Sequence, residues 1–150
     1  GKGPGDGPVP DEMIERRGSC HCGAVKFTVQ TPAELTGSRC NCSICAMKGA
    51  VIIYVPKADL TVSRGEEDLT CYRFNTGVAQ HHFCSHCGIH CFHQARSDPG
   101  QYAINAACLE GVRPYEDFPE VGVADGQRHA LDNDGIRRMA GTLRFDPASK

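Results

Sequence analysis

The chain has 150 residues, of which 40% are apolar and 23% are charged, and its net charge is −2 at pH 7. This length suits one domain with one hydrophobic core. No apolar run approaches the ~20 residues that a membrane-spanning helix needs, and the interspersed charges argue against a broad surface for nucleic acid or for membranes.

The N-terminus carries little that could fold. Residues 1–10 are rich in glycine and proline and have almost nothing to bury, so we predict a flexible tail over residues 1–12 and a single domain over residues 13–150. These residues lack the positively charged segment followed by an apolar stretch that marks a signal peptide. We therefore expect no signal peptide and a cytoplasmic location.

Most of the following signals indicate β-strands. Residues 24–30 alternate strictly, with Val25, Phe27 and Val29 on one face, which is typical of a half-buried strand. Residues 51–55 form a continuous apolar run, which predicts a strand buried on both faces and ended by the following proline. Further short strands are expected at residues 60–63, 69–74, 80–83, 89–95, 102–106 and 141–145.

Glycine-containing turn signals separate these segments at residues 64–65, 75–77 and 98–100. No segment has a long helical period, so the sequence predicts a mainly β fold with few short helices. The signal fades beyond Pro114, where residues 132–135 (DNDG) predict only a turn.

Seven of the ten cysteines fall into three short clusters with the spacing of metal ligands. In a cytosolic protein such spacing favours zinc over disulfides. Gly23 and Gly88 follow the first and third clusters and permit the tight turns that direct two sulfurs to one metal. The clusters are Cys20 and Cys22; Cys40, Cys42 and Cys45; and Cys84 and Cys87.

Seven thiolates divide naturally into four plus three, because a structural zinc takes four tetrahedral ligands. Joining the first and third clusters gives a closed four-thiolate site that staples the start of the domain to its middle. The second cluster keeps three thiolates and an open position for water or substrate, as in a catalytic site. The alternative is that a fourth protein ligand closes this site, and spacing alone does not choose between the two. Candidates for that ligand are His21, His81, His82, His86, His90, His93 and Cys71.

The other cysteines have no partner at ligand spacing. Cys71 and Cys91 lie in strand-like segments, so we interpret them as small buried hydrophobic residues, and Cys108 also stands alone. We interpret each histidine, considered alone, as a residue packed in the fold or as a hydrogen-bond partner of a metal ligand.

The ordered cysteine motifs resemble those of the glutathione-dependent formaldehyde-activating enzyme family, to which centromere protein V also belongs. The resemblance covers roughly residues 18–109. It rests on GSCHCGAV at residues 18–25, CNCSIC at 40–45 and FCSHCG at 83–88, with further matches at 72–76, 96–100 and 108–109.

This resemblance implies a β-tent fold of folded antiparallel sheets, shared with methionine-R-sulfoxide reductase B. It also implies a carbon–sulfur lyase that brings glutathione and formaldehyde, or another small aldehyde, into exchange with S-hydroxymethylglutathione. Two Zn²⁺ ions follow from it: a structural ion held by Cys20, Cys22, Cys84 and Cys87, and a catalytic ion held by Cys40, Cys42 and Cys45.

Elementary chemistry agrees with a zinc ion that binds the thiol of glutathione. An open three-thiolate zinc can bind the sulfur of glutathione and hold it deprotonated. Three thiolates leave the Zn²⁺ complex with a charge of −1, so it is a weak Lewis acid, which counts against simple activation of water. Arg39 and Lys48 flank the loop and could meet the carboxylates of glutathione, although a solvated surface position is the simpler interpretation of each.

Two other functions stay open. A non-catalytic zinc module could bind a protein or nucleic acid, but the mild acidity and the lack of a Lys/Arg run argue against phosphate contacts. A sulfoxide reductase would need a reactive cysteine without a metal, and Cys91 and Cys108 are the candidates. The sequence carries no signal for an oligomeric state.

Overall fold

The protein is described by a computed structural model over residues 12–128, 136 and 138–149. The predicted tail therefore lies outside the described residues as far as residue 11, and so does the predicted turn at residues 132–135. The elements in chain order are β1 (Met13–Ser19), β2 (Lys26–Pro32), β3 (Arg39–Cys40), α1 (Ser43–Lys48), β4 (Ile52–Pro56), β5 (Leu60–Arg64), β6 (Leu69–Tyr72), β7 (Gln80–Cys84), β8 (His90–Gln94), β9 (Gln101–Asn105), β10 (Glu120–Ala124) and β11 (Met139–Arg144).

The described strands form three sheets. Two are antiparallel, a three-stranded sheet in the order β1-β2-β5 and a five-stranded sheet in the order β4-β9-β8-β7-β6. In the third, β10 pairs with β11 antiparallel and with the short β3 parallel. The prediction of a mainly β fold with folded antiparallel sheets and few short helices is confirmed.

The core lies where β2 faces the five-stranded sheet. Val25, Phe27 and Val29 are at most 1% exposed, as their alternation predicts. Phe27 meets Phe92 of β8 edge to face, with ring centroids 5.7 Å apart. Burial of such a side chain contributes about 1.5–3 kcal/mol, so this contact holds the two sheets together.

The predicted burial of residues 51–55 on both faces is wrong at Tyr54. Val51, Ile53 and Val55 are buried in the core, whereas Tyr54 is 38% exposed. Ile52, on the same face of β4, is 4% exposed, so the layer that covers this face ends before Tyr54. Tyr54 instead lines a cavity that contains the second cysteine cluster.

The other predicted strands are present, with bounds that agree within two residues. Three strands, β1, β3 and β10, were not predicted, because their sequences show neither clean alternation nor a long apolar run. The predicted burial of Cys71 is also wrong, since β6 is an edge strand and Cys71 is exposed on it. With only six residues, α1 is far too short to cross a bilayer, and no other described helix is long and apolar enough.

Replacement of Gly65 by alanine should lower the free energy of unfolding more than replacement of Gly77 does. Both glycines have a left-handed backbone, with φ of 76° and 74°, so each alanine costs about 1–2 kcal/mol in backbone strain. At Gly65 the new Cβ would also lie 2.0 Å from the carbonyl oxygen of Ala24, while nothing lies within 4 Å at Gly77. Chemical denaturation of both variants measures the difference, and equal losses would contradict this packing.

Candidate metal centres

The first and third cysteine clusters converge into one four-cysteine group. Cys20 follows β1 and Cys84 ends β7, so the group joins two different sheets. The Sγ of Cys22 lies 3.7 Å from the Sγ of Cys20 and from that of Cys84. These three sulfurs and that of Cys87 all lie within 4.8 Å of one another, as ligands of a single metal ion would.

Each half of the four-cysteine group is a tight turn. The N–H of Gly88 donates to the carbonyl of Cys84 at 2.8 Å, and the N–H of His86 points at the Sγ of Cys84 at 3.4 Å. In the first turn the N–H of Gly23 donates to the carbonyl of Cys20 at 3.3 Å, and the N–H of Val25 lies 3.3 Å from the Sγ of Cys20. The glycine of each turn has a positive φ, 83° in the first and 76° in the third cluster. In each turn the backbone thus supplies an N–H donor to a cysteine sulfur.

The second cluster forms a separate three-cysteine group. Cys40 ends β3, Cys42 precedes the first residue of α1, and Cys45 lies within α1. Their sulfurs all lie within 4.8 Å of one another, and no fourth Cys, His, Asp or Glu of residues 12–128, 136 and 138–149 joins them. Arg39 donates from Nη1 to the carbonyl of Gly49 at 2.6 Å, which ties β3 to the end of α1.

The sulfurs of the three-cysteine group are not equivalent. Hydrogen bonds from the thiols of Cys40 and Cys45 lower the pKa of Cys42, and the N–H groups of Cys45 and Ile44 lower it further. The same contacts, together with burial, raise the pKa of Cys45. Before any metal binds, Cys42 is therefore the sulfur of this group that ionises most readily.

A cavity of about 540 Å³ opens on the three-cysteine group. Its volume lies within the range of small-molecule binding sites. Aromatic and cationic side chains share its wall, so it can accommodate both apolar and anionic parts of a ligand. Besides the three cysteines, the wall includes Tyr54, Phe74, His81, His93, Arg96 and Arg138.

The segment after β10 packs over the three-cysteine group. The N–H of Asn41 donates to the carbonyl of Ala124 at 3.1 Å, and the N–H of Gln127 donates to Oδ1 of Asn41 at 3.2 Å. At Gly126 the approach is so close that an added Cβ would lie 2.5 Å from the Sγ of Cys40. Sequence reasoning missed this contribution, because no motif marks these residues.

Lys48, at the end of α1, meets three imidazoles. Its Nζ lies 2.7 Å from Nδ1 of His81, 3.3 Å from Nε2 of His90 and 3.4 Å from Nδ1 of His93. Burial lowers the pKa of Lys48 to about 8. Burial and the charge of Lys48 lower the pKa of His81 to about 4 and that of His93 to about 3, so both imidazoles are neutral at pH 7. Lys48 is therefore not the solvated charge that the sequence suggested.

His82 and His86 have structural contacts. His86 pairs through Nε2 with Oδ1 of Asp68 at 2.8 Å, which braces the third-cluster turn. His82 packs against Phe92, with ring centroids 5.0 Å apart. Neither these two nor His21, His81, His90 and His93 belongs to the three-cysteine group.

The model of the family described as "Glutathione-dependent formaldehyde-activating enzyme" matches residues 15–121. A curated protein of Halomonas elongata, named "Putative glutathione-dependent formaldehyde-activating enzyme", is 40% identical to the chain over 78 residues. That match covers 47% of this chain and 50% of the Halomonas protein, so the chain spans about half the length of this relative.

A crystal structure of a Rhodobacter sphaeroides protein has a similar fold, with a TM-score of 0.64. Its sequence is 46% identical, and the match covers 67% of this chain and 93% of that one. The family match takes in both cysteine groups and extends into β10, which joins the three-cysteine group to its cover. The chain therefore belongs to the glutathione-dependent formaldehyde-activating enzyme family.

Proposed function

We propose that the chain is a zinc-dependent carbon–sulfur lyase, which combines glutathione with formaldehyde or another small aldehyde and releases them in the reverse direction. The observation that carries this proposal is that the three-cysteine group lacks a fourth protein ligand among the described residues and lines a cavity. A metal held there keeps a position for the sulfur of a substrate. Family membership supports the same class of reaction.

Zinc fits the donor sets of both groups. Four sulfurs that receive backbone N–H groups suit a closed structural ion held by Cys20, Cys22, Cys84 and Cys87. Three half-buried sulfurs suit an open, catalytic ion held by Cys40, Cys42 and Cys45. When bound there, zinc supplies the positive charge that keeps the sulfur of glutathione deprotonated at neutral pH.

The residues of the chain itself bind and orient the rest of glutathione. Glutathione carries two carboxylates, and Arg96 and Arg138 bring two guanidinium groups to the cavity wall. Guanidinium groups recognise carboxylates through paired hydrogen bonds. Arg39 and Lys48, which the sequence suggested for this role, are not among the described residues that line the cavity. Tyr54 supplies apolar surface beside the sulfurs.

The alternatives have weaker support. A non-catalytic zinc module requires neither an open ligand position nor a cavity beside it. A sulfoxide reductase requires an accessible thiol without a metal. Cys91 and Cys108 are at most 8% exposed and do not belong to the cavity wall, and a hydrogen bond with Cys108, together with burial, raises the pKa of Cys91.

Cys84→Ser should yield a poorly folded protein, whereas Cys42→Ser should retain the thermal stability of the wild type. The four-cysteine group joins positions 62 residues apart, Cys22 and Cys84, and structural zinc contributes folding free energy directly. The three-cysteine group closes only a short loop, and closing a short loop restricts few conformations of the unfolded chain. Thermal unfolding followed by circular dichroism, with zinc analysis of each protein, tests this. A Cys84→Ser protein of undiminished stability would count against the structural site.

Cys42→Ser should also abolish the reaction of glutathione with formaldehyde. Exchange spectroscopy by NMR on mixtures of the two, at equal protein concentration, compares this variant with the wild type. If the wild type does not exceed the spontaneous rate, formaldehyde is the wrong substrate. If both proteins accelerate exchange equally, the three-cysteine group is not the active site.

Gly126→Ala should weaken zinc binding at the three-cysteine group by about tenfold or more, as loss of a supporting contact typically does. The added methyl group would lie 2.5 Å from the Sγ of Cys40 and 2.6 Å from the Cβ of Cys42. Gly141→Ala is the matched control, because nothing lies within 4 Å of its Cβ. Competition with a chromophoric chelator gives the affinities. Equal affinities in the two variants would show that the segment after β10 does not shape this group.

A further inference from the structure

The contacts of Lys48 assign the tautomers of three histidines. An ammonium group has three N–H donors and no acceptor. Three imidazole nitrogens surround Nζ of Lys48: Nδ1 of His81 at 2.7 Å, Nε2 of His90 at 3.3 Å and Nδ1 of His93 at 3.4 Å. Each of these nitrogens therefore accepts one hydrogen bond and cannot itself carry a proton.

A neutral imidazole has one N–H and one lone pair, so the proton lies on the opposite nitrogen. That nitrogen is Nε2 in His81 and in His93, and Nδ1 in His90. Two of these atoms, Nε2 of His81 and Nδ1 of His90, are buried and have no hydrogen-bond partner within the described part of the chain. A buried donor without a partner is rare and calls for an acceptor from outside the protein.

His81 is the histidine that combines a donor without a partner in the described part of the chain with a place in the cavity wall. His81 and His93 line the same cavity as the three-cysteine group, and His90 does not. Of the two, only His81 has a protonated nitrogen that belongs to the buried atoms without a partner in the described part of the chain. Only 4% of His81 is exposed, and its ring stacks on Phe74 with centroids 5.8 Å apart. Lys48 holds one edge of the ring, so the orientation of the N–H on the other edge is constrained from two sides.

We propose that His81 is a further catalytic residue, which donates a hydrogen bond from Nε2 to the oxygen of the aldehyde, and that Lys48 is the positioning residue that fixes its tautomer. This inference rests on the proposed function. It assigns a role in the reaction to a histidine that the sequence offered only as a candidate ligand and that belongs to neither cysteine group in the structure.

In the proposed step glutathione reacts as a thiolate, whose proton has passed to solvent. The sulfur donates an electron pair to the aldehyde carbon, a C–S bond forms, and the π pair of the C=O bond moves to oxygen. That oxygen carries the developing negative charge and accepts the hydrogen bond of His81. It then takes a proton from water, so the product is the hydroxyalkyl thioether and no oxidant or reductant is needed.

Three variants of the zinc-loaded protein test the donor. His81→Phe keeps a ring beside Phe74 and removes the N–H, so its kcat should fall roughly 100-fold, as for loss of one oxyanion donor, with little change in KM for glutathione. His81→Gln retains an N–H donor and should recover part of that loss. His82→Phe is the control: it alters the neighbouring residue of β7, which packs against Phe92 and is not in the cavity wall. Zinc content and circular dichroism of all three report on folding.

Tautomers are read independently of activity by long-range ¹H–¹⁵N correlation spectra of the zinc-loaded wild type. We expect the proton on Nε2 of His81 and mixed tautomers of His81 in Lys48→Met. A proton on Nδ1 of His81, or unchanged spectra in Lys48→Met, would overturn the role of Lys48. Folded, zinc-loaded His81→Phe with wild-type kcat would overturn the role of His81. A wild type that fails to accelerate the reaction would instead overturn the proposed function, and the role of His81 with it.

Discussion

Close packing of ionisable sulfurs is the constraint on which the rest of this structure depends. Seven Sγ atoms lie in two groups, with separations inside each group within 4.8 Å. Thiolates so close repel one another strongly unless a cation lies between them, so the geometry of each group suits a metal ion. The four-cysteine group joins the turn after β1 to the turn after β7. It thereby fixes the two sheets whose contact, through Phe27 and Phe92, forms the core.

The two groups differ in what surrounds them, and this difference separates their roles. The four-cysteine group brings four sulfurs together at a junction of sheets. The three-cysteine group extends from the end of β3 into α1, faces a cavity of about 540 Å³ and is covered by the segment around Gly126. A short helix also links this group to the histidines, because α1 carries both Cys45 and Lys48. The cysteine Cys45, the cavity beside it and the proposed donor His81 are therefore positioned by contacts of the same short helix.

Local chemistry made part of this arrangement predictable. Alternation at Val25, Phe27 and Val29 reports directly on which face is buried, and the glycines after two clusters mark turns that only they adopt readily. The division of seven cysteines into four and three follows from tetrahedral coordination, and it agrees with the two groups in the structure. Metal coordination requires a strict spacing between cysteines, so such sites are recognisable in a sequence.

Long-range features left no such trace. Exposure of Cys71 depends on which strand lies at the sheet edge, and exposure of Tyr54 depends on where a cavity opens beside β4. Both are properties of the whole topology. The approach of Gly126 to Cys40 joins residues far apart in the chain, with no motif at either end. Convergence of Lys48 on three histidines requires the register of β7 against β8, and a lysine in sequence reads as a surface charge.

The central claim is that two zinc sites of different coordination serve different roles. X-ray absorption at the zinc edge, combined with metal analysis of the purified protein, tests it most directly. The account predicts two zinc ions per chain, one bound by four sulfurs and one by three sulfurs and a non-protein ligand that glutathione replaces with a fourth sulfur. A single zinc after full metal loading, or a second zinc closed by a histidine nitrogen and unaffected by glutathione, would contradict it.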